Sequence, residues 1–131
     1  MTRYFADTFY FQARVNRHDQ PHARVLAWSQ TRAAPLVTTE LVLVELANSL
    51  AASRFRPLVQ NYFTLLRRTI TVVPASRARL ENALALYHQH EDKTWSLTDC
   101  LSFVVMREHR ISEALTGDPH FAQAGFSAVF E

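Results

Sequence analysis

Short β-prone runs alternate with longer stretches of helical periodicity along this chain, and no other feature restricts its fold as much. Residues 3–6, 36–38, 70–73, 114–116 and 127–130 read as strands. Helices are expected over 8–15, 21–31, about 39–53, 58–68, 77–90 and 97–109. Ala23, Leu26 and Ala27 mark the inner face of the second helix, and Leu80, Ala83, Leu84 and Tyr87 that of the fifth. Strands separated by helices cannot pair as hairpins. The expected architecture is therefore α/β, with a mostly parallel central sheet flanked by helical layers.

The 131 residues are 48% hydrophobic and 20% charged, which suits one domain over residues 1–131 with an ordinary buried core. The apolar runs are short and broken by Glu45 or Arg107, so no membrane span is expected. The opening Met1-Thr2-Arg3-Tyr4-Phe5-Ala6-Asp7 lacks the apolar segment of a signal peptide, and the lone Cys100 cannot form an intramolecular disulfide; both suit a cytoplasmic protein. Gly117 and Gly125 are the only glycines, which excludes a Walker-type phosphate loop and a G-x-G-x-x-G dinucleotide turn.

Open parallel sheets place ligand sites beyond the carboxyl ends of their strands. Asp7 follows the first predicted strand and Asp118 the fourth. Either also has a local explanation, Asp7 as a helix N-cap and Asp118-Pro119 as the start of a turn. Asp99 sits in the first turn of Trp95-Ser96-Leu97-Thr98-Asp99-Cys100, where Ser96 and Asp99 have the spacing of a capping box. Glu45 lies inside the apolar run from Leu41 to Leu50, on a narrow and partly apolar stripe that fits the mouth of a pocket. Glu40 competes for the same role from the first turn of that helix, where the helix dipole already accounts for it. Four carboxylates gathered together would repel without a cation, and an oxygen-only cluster selects Mg²⁺ or Mn²⁺. A cation held there can activate water and neutralise a phosphate.

Formal net charge is +2, yet thirteen of the fourteen basic residues are arginine, the side chain suited to bidentate phosphate contact. Setting four acids aside in a pocket leaves 14 basic against 8 acidic side chains, a remainder of +6 that suits an anionic polymer. Arg14, Arg17, Arg54 and Arg56, with Arg67 and Arg68, are candidates for phosphate contact, each with an ordinary solvated charge as the alternative. The histidines form no His-Glu-x-x-His motif, and His120 reads as a packing or surface residue despite following Asp118 closely. Cys100 reads as core.

The order of these pieces resembles the PIN domain, in particular the VapC-type toxins of type II toxin–antitoxin systems. The residues that carry the resemblance are Ala6-Asp7-Thr8, Thr38-Thr39 with Val44-Glu45-Leu46-Ala47-Asn48, Trp95 to Cys100, and Leu115-Thr116-Gly117-Asp118-Pro119-His120-Phe121. It spans nearly the whole chain and implies an α/β/α sandwich acting as a Mg²⁺- or Mn²⁺-dependent endoribonuclease. Asp7, Glu45, Asp99 and Asp118 would form the metal site, with Thr8 and Thr98 orienting water or phosphate or simply bonding to backbone. The resemblance also implies an RNA substrate, a homodimer, and a cognate antitoxin docking on aromatic residues left exposed around the second and fourth helices. Two alternatives stay open: a PIN nuclease of RNA processing, and a non-catalytic PIN scaffold. A receiver-like phosphate acceptor fits poorly, because Asp7 stands alone and the only lysine, Lys93, lies in a loop.

Overall fold

The computed structural model describes residues 2–131; Met1, which heads the N-terminal stretch and the expected domain, lies outside the described residues. Five strands, β1 (Tyr4–Ala6), β2 (Leu36–Thr39), β3 (Thr71–Val73), β4 (Glu113–Leu115) and β5 (Ser127–Ala128), form a sheet of order β3-β2-β1-β4-β5. Every pairing is parallel, so the sheet is more uniform than expected. Among the described residues seven α-helices flank it: α1 (Thr8–Val15), α2 (His22–Thr31), α3 (Glu40–Leu50), α4 (Val59–Thr69), α5 (Arg77–Gln89), α6 (Leu97–Glu108) and α7 (Pro119–Gln123), with a short 3-10 turn at Arg56–Leu58 ahead of α4. The result is the expected α/β/α sandwich. A parallel sheet covered on both faces needs apolar strands rather than alternating ones, and all three residues of β1 are buried.

The chain runs outward from β1 to β2 and β3, then returns to place β4 on the other side of β1. Strand order reverses there, opening a crevice at the carboxyl ends of β1 and β4. Next to it α6 is buried along most of its length, from Asp99 to Met106 with only Val104 partly open. It packs on α5, α3, α7 and β2. Phe103 anchors this region, with ring centroids 5.1 Å from Trp95, 5.0 Å from Phe121 and 5.7 Å from Phe126.

Three local readings of the sequence are corrected. The inner face of α2 carries Val25, fully buried, and Trp28, not Ala23 and Ala27, which are exposed. Larger side chains remove more apolar surface from water: Trp28 packs edge-on at 5.0 Å from Tyr4 and 6.2 Å from Tyr10. In α5 the contact with α6 is made close by the small buried Ala83, and Leu84 and Tyr87 stay 42% and 46% exposed. Where Asp118-Pro119 suggested a turn, α7 begins, with Pro119 in its first turn as proline's fixed φ allows. No helix among the described residues is long and apolar enough to cross a membrane.

Phe103→Leu keeps an apolar side chain but removes three ring contacts beneath the crevice. It is expected to lower unfolding free energy by roughly 1–3 kcal/mol, read as a shifted urea midpoint. Val44→Ala, at a half-exposed position, should stay within about 0.5 kcal/mol.

Candidate metal centre

Asp7, Glu45, Asp99 and Asp118 all line one open cleft at the crevice between β1 and β4. Each reaches it from a backbone position that the sequence dictates. Asp7 is the N-cap residue of α1, yet its side chain makes no capping bond; Oδ2 instead accepts from the Thr116 hydroxyl at 2.9 Å, joining the ends of the two strands. Asp99 completes the capping box, with the Ser96 N–H donating to Oδ2 at 3.1 Å and the Asp99 N–H to the Ser96 hydroxyl at 3.0 Å. Asp118 caps α7 by accepting from the His120 N–H at 2.9 Å. The three aspartates thus sit at three helix starts, where unpaired N–H groups and the helix dipole favour negative charge.

Glu45 comes from the second turn of α3, and the Thr8 hydroxyl donates to its Oε1 at 2.5 Å. Glu40 does not reach the cleft: its Oε1 accepts the Ala75 N–H at 2.7 Å, on the far side of α3. Among the described residues no partner donates to Asp99 Oδ1 or Asp118 Oδ2, so both cleft acids keep an oxygen free. Asp7 is 5% exposed. Its carboxyl is raised to about 7, chiefly by burial; Asp99 and Glu45 add to the rise, and the Thr116 hydroxyl and the Thr8 N–H oppose it. A buried acid repelled by two neighbouring carboxylates is a donor set short of positive charge. A hard divalent cation, which prefers oxygen ligands, fits that deficit.

Thr98 does not line the cleft. None of the proposed RNA-contact arginines does either. Arg14 lies over the Tyr10 ring, Arg54 over the Phe55 ring at 5.1 Å, Arg56 donates to the Ala51 carbonyl, and Arg17 is exposed. Three residues in or beside the cleft are given no site role by the sequence reading. Thr116 holds Asp7, and its place at the end of β4 beside Gly117 was the available signal. Gly117 allows a close approach, since a Cβ there would stand 2.9 Å from the Phe9 ring. His120 is the third. Its Nδ1 lies 2.9 Å from Asp99 Oδ2 and 3.4 Å from Asp118 Oδ1, so it is a cleft residue rather than a packing or surface one.

The profile of the PIN domain family matches residues 4–127. No curated protein matches the chain by sequence. Among solved structures, VapC20 of Mycobacterium tuberculosis, described as a sarcin–ricin loop cleaving toxin, superposes with a TM-score of 0.87 at 25% identity, over 95% of this chain and 97% of that one. VapBC2 from Rickettsia felis, bound to a promoter DNA fragment, gives 0.68 at 15% identity over 97% and 96%. FitAcB from Neisseria gonorrhoeae gives 0.64 at 18% over the same shares of the two chains. These two likenesses speak to the fold.

The raised Asp7 carboxyl has a stability consequence. Its folded-state value exceeds the unfolded one, so the protonated form is favoured by folding, and the contribution fades as pH rises from about 4 through 7. In chelator, Asp7→Asn should gain on the wild type by roughly 2 kcal/mol between about pH 5 and pH 8, measured by chemical denaturation. By fold and family profile, this chain belongs to the PIN domain family and shares the architecture of a VapC toxin.

Proposed function

We propose that the protein is a divalent-metal-dependent endoribonuclease and the toxin of a type II toxin–antitoxin pair. The observation that carries this is the convergence of Asp7, Glu45, Asp99 and Asp118 on one cleft of a PIN fold. Asp99, Asp118 and Glu45 are the residues that would hold Mg²⁺ or Mn²⁺, with Asp7 closing the cluster from its buried side. When bound, such a cation supplies charge neutralisation at the phosphodiester and makes water a better nucleophile. The chain's own groups position the reaction: the capping box fixes Asp99, Thr116 fixes Asp7, and Thr8 fixes Glu45. Since no arginine lines the cleft among the described residues, the RNA backbone is gripped from outside it, and the arginine-rich surface supplies that grip.

The open cleft admits a folded RNA, and the sarcin–ricin loop is the first to try, because VapC20 cleaves it. A protein antitoxin would be the cognate partner. A groove lined by Val15, Leu50, Phe55, Leu58, Val59 and Tyr62, with Arg14 at its edge, offers it an apolar seat along α1, α3 and α4, not α2. We take the working unit to be the cytoplasmic homodimer that the family implies.

The decisive measurement is cleavage of a sarcin–ricin loop oligonucleotide and of total ribosomal RNA with Mg²⁺ or Mn²⁺. Asp99→Asn should cut the rate at least about a hundredfold while retaining the fold by circular dichroism. Glu40→Gln should leave it unchanged. Equal cleavage by wild type and Asp99→Asn would refute the assignment of this residue.

A further inference from the structure

We propose that His120 is a nitrogen ligand of the cation centre, held ready by Thr94, and that it tilts the site toward Mn²⁺ over Mg²⁺. The inference rests on the metal-centre reading above and extends it to a side chain outside the four acids.

The geometry is that of neighbouring ligands on one ion. Asp99, Asp118 and His120 each offer an atom within 4.8 Å of the others. Nδ1 stands 2.9 Å from Asp99 Oδ2 and 3.4 Å from Asp118 Oδ1. Adjacent ligands on an octahedral ion at about 2.1 Å stand about 3 Å apart. The side chain is held by backbone as well, since the His120 N–H is fixed to Asp118 at the start of α7.

The other ring nitrogen supplies an independent reason. Nε2 lies 3.1 Å from the Thr94 hydroxyl, which comes from the loop before α6 and not from the acid cluster. Histidines that bind metals commonly donate their second N–H to an outer partner, which fixes the tautomer and aims the lone pair. With the proton on Nε2 and donated to Thr94, the Nδ1 lone pair points at the two carboxylates. Three electron-rich atoms then face one another, an arrangement that a cation between them would satisfy. Mg²⁺ prefers oxygen and water, whereas affinity for a nitrogen donor rises among the divalent transition ions. An imidazole in the set therefore raises Mn²⁺ affinity relative to Mg²⁺.

The test is electron spin echo spectroscopy of Mn²⁺ added to the full chain. Wild type should show ¹⁴N modulation from a bound imidazole, replaced by a ¹⁵N pattern when the protein carries ¹⁵N-histidine. His120→Asn should abolish it, and the ratio of Mn²⁺ to Mg²⁺ affinity by titration calorimetry should fall about tenfold. Thr94→Val should lower that ratio in the same direction. Should His120→Asn fail to fold, the ¹⁵N substitution in wild type still decides the matter. Mn²⁺ bound without nitrogen coupling would overturn the role of His120 alone. Absence of Mn²⁺ binding to wild type would overturn the metal centre itself.

Discussion

Mutual repulsion among carboxylates in one cleft is the constraint around which this molecule is arranged. Asp7 carries it in its most confined form: burial first, and then the charges of Asp99 and Glu45, raise its carboxyl to about 7. The fold offsets that repulsion with backbone. Asp7, Asp99 and Asp118 each sit at a helix start, and hydroxyls from Thr116, Thr8 and Ser96 donate into the cluster or fix the backbone around it. A parallel sheet makes this economical, because every strand delivers its carboxyl end to the same edge, and the reversal beside β1 leaves room between two of them.

Local and functional explanations of the same residue turn out to be compatible. Asp99 is a full member of a capping box, and still keeps Oδ1 without a donor among the described residues. Asp118 caps α7 through Oδ1 and also lines the cleft. Asp7 departs from this pattern, since it holds the N-cap position without the capping bond and turns to Thr116 instead. A carboxylate has two oxygens and about four acceptor sites, so one can serve the helix while another serves a ligand.

Most of the architecture was legible in the sequence, because apolar runs at strand spacing and helical periodicity are local signals. Acids placed immediately after strands pointed to the crevice for a topological reason, independent of side-chain detail. The errors have a common origin in packing. In α2 the alanines had the right spacing, but Val25 and Trp28 bury more surface. Leu84 and Tyr87 look like core until α5 is seen to meet α6 through Ala83. Which of Glu40 and Glu45 faces the cleft depends on the rotation of α3, and that is set by Leu43 and Leu46 going inward. His120 was discounted because its partner Asp99 lies 21 residues away and its other partner, Thr94, 26, distances that no short motif spans.

Gly117 ties the cleft to the end of the chain. The absent Cβ lets the Phe9 ring fill the space beside it, and Phe9 in turn stacks on Phe130 at 6.1 Å. Arg24 from α2 donates to the Phe130 carbonyl and covers its ring. One wall of the acidic cleft is thus borrowed from residues at opposite extremes of the sequence, clasped by a helix that contributes nothing to the chemistry. Removing the Phe130 ring would loosen that wall while leaving Asp7, Glu45, Asp99 and Asp118 in the chain. Phe130 is in that sense part of the cleft's working edge.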